Sequence, residues 1–186
     1  MSILDIVYYG DPRLEKVSEP IEDFNADLRK FVKDMFETMY FTNGVGLSAP
    51  QVGVNKRLLV IDVSGGEDRS KQLILVNPVV VERTGEQKGQ EGCLSFPGLF
   101  ANVARPNYAK VRGFNPEGKA IELEGTGLQA RALLHEIDHL DGILFIQRMK
   151  KSDREMIVKK MKKLQLPKKE ELQSYKEYPV QEGELV

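Results

Sequence analysis

The chain has 186 residues, a formal net charge of −1 and a single cysteine, Cys93. This length suits one domain with a buried core. The balanced charge provides no global field toward nucleic acid or a membrane surface, and one cysteine excludes an intrachain disulfide, which suits a reducing compartment.

The opening stretch MSILDIVYYGDPRL carries Asp5 early and has no long apolar run, so it does not read as a signal peptide. No stretch reaches the roughly 20 apolar residues of a spanning helix. A cytoplasmic protein is expected, with no DNA or membrane partner; an organellar protein whose transit peptide has been removed would read the same.

Asp11-Pro12 predicts a cap and a first-turn proline, opening a short helical turn through Leu14. From Asn25 onward, Leu28, Phe31, Val32, Met35, Phe36 and Met39 recur every three or four residues. That spacing predicts a long amphipathic helix that stops at Asn43-Gly44. The next stretch, GVGLSAPQ at 44–51, predicts a tight, irregular passage open to close backbone approach. It lacks the glycines and the Gly-Lys-Ser/Thr of a phosphate loop, and alone it reads as a connector.

Residues 57–63 and 72–76 are β-rich and separated by a polar loop with Ser64-Gly65-Gly66. A strand continues over 79–81 after Pro78, whereas the polar residues 84–90 predict a loop. Residues 108–114 and 119–123 flank Asn115-Pro116-Glu117-Gly118, a strong hairpin signal. Thr126 with Gln129 reads as a capping box that opens the next helix. Residues 143–145 predict a short strand. Ser152 with Glu155 predicts a second capping box and a helix to about Leu166, ended by Pro167. The expected fold is α+β, with antiparallel sheets around a central helix, a long N-terminal helix and a C-terminal helix. Residues 1–166 form the single domain and 167–186 a charged tail.

The central helix contains His135-Glu136-Ile137-Asp138-His139, which holds both histidines of the protein. Histidines four apart stand one turn above each other on one helix face and can hold one transition metal. Leu128, Ala132, His135 and His139 share that stripe. Glu136 lies where it can handle the proton of a water on the metal.

A catalytic site of this kind has three protein ligands and one open position. The longer HExxHxxGxxH pattern fails at Phe145, and Glu155, Glu170 and Glu171 lie in a cap and a charged tail. Cys93, in Glu91-Gly92-Cys93-Leu94-Ser95, remains; its thiolate suits zinc or ferrous iron. Alone, such a cysteine reads as a small buried hydrophobe.

GVGLSAPQ, EGCLS and HEIDHLDG, in this order, resemble the three signature motifs of the peptide deformylases. The resemblance extends from the N-terminal segment to about Leu166. It implies Cys93, His135 and His139 as metal ligands and Glu136 as general acid and base. It also implies the Gln51 side chain and the Leu94 backbone N–H as oxyanion donors. Val45, Gly46 and Gly92 would contact the peptide backbone, and Glu91 would pair with Arg105 behind the metal. Val45, Leu128 and Ala132 are expected to wall the methionine side chain. The implied reaction removes the formyl group from N-formyl-methionyl peptides and releases formate, with one divalent ion: Fe2+ in the cell, and Zn2+, Ni2+ or Co2+ as substitutes.

Ser48 stands where alanine is more usual in that family, and residues 96–100 are individual to this chain. The basic C-terminal helix, with Arg154, Lys159, Lys160, Lys162 and Lys163, is a candidate ribosome contact, although lysines on a solvated helix face read the same. The competing readings are a metal-dependent endopeptidase, a structural metal domain, which would need a fourth ligand, and an inactive peptide-binding relative.

Overall fold

A computed structural model describes residues 2–164. Helix α1, Ala26–Phe41, starts where the Asn25 side chain accepts the Leu28 N–H, satisfying an otherwise orphaned donor. It ends before Asn43, which turns the chain with φ of 54°. The strands are β1 (Gly46–Ser48), β2 (Leu58–Ile61), β3 (Leu73–Thr84), β4 (Gln87–Gly92), β5 (Phe100–Arg105), β6 (Tyr108–Phe114) and β7 (Ala120–Thr126). Helix α2, Gly127–Leu140, carries the histidine pair, and α3 spans Lys151–Met161.

Strands β1-β2-β3-β6-β7 form one antiparallel sheet in that order, and β4 and β5 form a separate two-stranded sheet. β2 explains why its sequence is apolar without a break. Strand side chains alternate between faces, so Leu58 and Val60 join α1 in one core while Leu59 and Ile61 join Leu133, Ile137 and Leu140 of α2 in another. A third core, with Phe96, Val103, Phe145 and Ile157, lies between the small sheet and α3. The sheet is thus clamped between helices, and α2 is held by its full apolar length. Among the described residues no helix is long and apolar enough to cross a membrane.

The structure revises several expectations. The passage at 44–51 holds the short strand β1 and a 3-10 turn, Ala49–Val52. Residues 84–90 are not a loop: β4 begins at Gln87, and its polar residues reflect a two-stranded sheet that is exposed on one side. Strand β5 leaves no clear signal in the sequence, because Arg105 occupies one of its buried positions and breaks the apolar alternation. β3 continues through Pro78 by shifting register between Val76 and Val79.

Thr126 precedes α2 without a side-chain cap, and Gln129 instead donates to the Glu124 carbonyl. The strand expected at 143–145 is replaced by a 3-10 turn, Phe145–Arg148. Ser152 lies inside α3, after Lys150 at the cap, and that helix ends at Met161. The domain boundary at 166, Pro167 and the tail at 167–186 lie outside the described residues.

One contact fixes the far end of α2. Gly142 has φ of 70°, and a Cβ there would lie 2.6 Å from the Glu15 carbonyl oxygen in the 3-10 turn Pro12–Glu15. Gly142→Ala is expected to cost about 2 kcal/mol, from left-handed strain plus this overlap. A urea midpoint that moves down at unchanged slope would bear this out; an unchanged midpoint would remove Gly142 from that role.

Candidate metal centre

The residues of α2 from Ala130 to Leu140 are all buried, so both imidazoles stand inside the protein. Their ring centroids are 4.9 Å apart. Cys93 directly follows β4, and its Sγ lies 3.2 Å from His139 Nε2. One donor atom from each of Cys93, His135 and His139 falls within 4.8 Å of the other two. Ligands about 2.0–2.3 Å from a four-coordinate ion stand roughly 3.5 Å from each other. The trio therefore fits a divalent transition ion, and one thiol with two imidazoles is the right chemistry for it.

The tautomer of His135 is set from behind. Its Nδ1 is 2.6 Å from Glu91 Oε1, which leaves Nε2 to face the other donors. Glu91 also accepts from Arg105 at 2.6 and 3.0 Å and from Arg131 at 2.8 Å. Arg105 in turn donates to Asp138, which Arg148 grips at 2.6 and 3.1 Å. Two carboxylates thus face three guanidiniums behind the histidine pair.

Burial opposes a charge on Glu91, but His135 and Arg105 outweigh it and hold the carboxyl well below its ordinary range. Burial likewise opposes the Arg105 charge, and Glu91 and Asp138 override it. Burial pushes His139 well below the usual histidine range, which keeps it in the neutral form a metal needs. For His135 burial is outweighed by hydrogen bonding to Cys93 and Glu91, so its proton affinity rises. A cation would satisfy the same electron-rich surroundings. Glu136 is buried, and burial raises its pKa to about 7, against the pull of His135 and of the neighbouring Ser48 hydroxyl.

A cavity of about 490 Å³ opens beside this cluster. It lies where β1, at the edge of the large sheet, comes opposite β4 of the small one. Val45, Gly46, Gln51, Glu91, Gly92, Cys93, Leu94, Leu128, Ala132, His135 and Glu136 all line it, whereas His139 and Arg105 stand behind. Gly46 is required here: a Cβ would sit 2.5 Å from Glu136 Oε1. Gln51 Nε2 donates toward Cys93 Sγ at 3.4 Å.

Sequence reading missed Arg131, Asp138 and Arg148 as supports. The signal was present for the first two: they are charges within an otherwise apolar helix, four residues before and three after His135.

The family model for polypeptide deformylase matches residues 3–155. A peptide deformylase of Thermodesulfovibrio yellowstonii is 49% identical over 162 residues, covering 87% of this chain and 98% of that protein. One from Acidobacterium capsulatum is 45% identical over 165 residues, covering 89% and 97%. Among solved structures, a peptide deformylase from Legionella pneumophila superposes with a TM-score of 0.83 at 43% identity, over 87% of this chain and 95% of that one. One from Plasmodium falciparum gives 0.81 at 35% identity, over 92% and 97%.

The raised pKa of Glu136 has a consequence for stability. Its folded value, about 7, lies above the unfolded carboxyl value, so the native state holds the extra proton. In metal-stripped protein this group's contribution therefore falls as pH rises from about 4.5 to about 7 and is flat above. Glu136→Gln should make the stripped protein more stable at pH 8 by on the order of 3 kcal/mol and change little at pH 4. Equal gains at both pH values in chemical denaturation would contradict this.

Proposed function

The chain belongs to the peptide deformylase family, and we propose that Cys93, His135 and His139 hold its metal and Glu136 handles the proton. The enzyme is a metal-dependent hydrolase that removes the formyl group from the N-terminal methionine of new proteins and releases formate. The convergence of one sulfur and two imidazole nitrogens within 4.8 Å, next to a carboxyl with a pKa near 7, carries this reading.

When bound, the ion supplies Lewis acidity and lowers the pKa of a coordinated water toward about 7. The chain's own groups do the rest. The peptide lies extended beside Val45-Gly46 and Gly92, adding its backbone between the two sheets. Its methionine side chain enters the cavity against Val45, Leu128 and Ala132. As water adds to the formyl carbon, negative charge grows on the carbonyl oxygen. The Gln51 amide and the Leu94 N–H donate to it. Glu136 accepts the water proton and delivers it to the amine nitrogen as the carbon–nitrogen bond breaks. Formate and a free α-amine leave.

The physiological ion is proposed to be Fe2+, with Zn2+, Ni2+ or Co2+ able to replace it, and the place of action the cytoplasm. The single domain is proposed to span residues 1–166 and the charged tail 167–186. An endopeptidase would act on internal bonds; a formyl-specific enzyme leaves them intact. Formate release from a formyl-Met tripeptide should vanish on chelation and return with added metal, with no internal cleavage. Glu136→Gln should keep the metal and lose turnover by roughly 10²-fold or more. Turnover that survives complete stripping would overturn the reading.

The basic residues of α3, Arg154, Lys159 and Lys160, are proposed to contact ribosomal RNA. Exchanging these residues for glutamine should lower co-sedimentation with ribosomes, and equal co-sedimentation would dismiss the contact.

A further inference from the structure

Ser48 is wholly buried at the end of β1, where it pairs with Leu59 of β2. Its backbone N–H donates to Gln51 Oε1 at 2.9 Å, and its hydroxyl donates to the same oxygen at 2.8 Å. Gln51 is itself 1% exposed, and its backbone carbonyl accepts the Val7 N–H at 2.8 Å. The opposite end of the Gln51 amide, Nε2, points to Cys93 Sγ at 3.4 Å.

A single donor on Oε1 would set which end of the amide faces the cavity but would let its plane pivot about that bond. Two donors on one oxygen remove the pivot. The backbone donor also makes a flipped amide costly, because its NH2 would then meet an N–H with no acceptor between them, whereas the hydroxyl could accept from either end. The first contact, reaching back to the strand-end N–H, is a local cap and needs no serine. The second exists only because residue 48 carries a hydroxyl.

We infer that Ser48 is a positioning residue, which acts through Gln51 by fixing the direction in which the amide N–H meets the reacting carbonyl oxygen. The pinned strand β2 holds Ser48, Ser48 holds Gln51, and Gln51 holds the developing charge. Alanine at this position keeps the backbone bond and loses the second restraint, so the reaction persists with a less well-aimed donor. This inference rests on the assignment of Gln51 as an oxyanion donor.

The experiment is a double-mutant cycle on the metal-loaded enzyme with a formyl-Met tripeptide, comparing the parent, Ser48→Ala, Gln51→Ala and the double variant. Gln51→Ala should lower kcat by roughly 100-fold. Because the Ser48 hydroxyl also lies beside Glu136, kcat is read across pH: Ser48→Ala should lower it by roughly 10-fold with KM nearly unchanged and the pH profile unshifted, and should have no further effect once Gln51 is alanine. A role confined to packing would lower stability and leave kcat alone.

Parent-like kcat in Ser48→Ala beside an impaired Gln51→Ala overturns the inference and leaves the Gln51 assignment standing. Fully additive losses overturn it as well, since Ser48 would then act by another route. Parent-like kcat in Gln51→Ala overturns both.

Discussion

The site depends on one buried anion. Glu91 is 4% exposed and gathers His135, Arg105 and Arg131 onto two oxygens. Those partners come from β5 and α2, while Glu91 itself sits on β4, two residues before Cys93. A carboxylate in such a place is tolerated only because every lone pair direction is met by a charged or polar donor. Removing it would leave Arg131 buried with only the Val103 carbonyl and Arg105 with only Asp138, and breaking a buried pair of this kind costs about 3–5 kcal/mol. The interaction that orients a metal ligand also joins the small sheet to the central helix.

Packing and chemistry are coupled through α2. Its apolar residues, Leu133, Ile137 and Leu140, press on the large sheet, while His135, Glu136 and His139 occupy the positions between. A helix held so firmly cannot easily rotate, so the two imidazoles keep their mutual geometry. The cost appears elsewhere: Arg131 and Asp138 are forced into the interior and must be paired there. At the other wall, β1 is only three residues long and forms an edge of the large sheet. An open strand edge usually invites aggregation; here it is recessed beside a cavity and suited to an extended peptide.

Much of this was legible in the sequence, for identifiable reasons. α1 and β2 announce themselves by periodicity, since a helix between sheet and solvent and a strand between two helices leave unlike patterns. The histidine pair was legible because a spacing of four has one geometric meaning on a helix. Cys93 came from elimination of the other candidates for a third ligand, and Gln51 and Leu94 from the motif resemblance, not from periodicity.

The small sheet was illegible: its buried positions include Glu91 and Arg105 while Phe100 faces solvent, so alternation is masked. The cap at Thr126 failed because Gln129 finds a carbonyl partner in β7 instead. Ser48 could not be placed from sequence either, since its hydroxyl matters only through a side chain three residues later that turns back on it.

The central claim is that one sulfur and two imidazole nitrogens grip the ion. X-ray absorption at the zinc edge of the zinc-loaded chain measures this directly. The account predicts one sulfur at about 2.3 Å and two histidine nitrogens at about 2.0–2.1 Å. A shell of nitrogen and oxygen with no sulfur would contradict it.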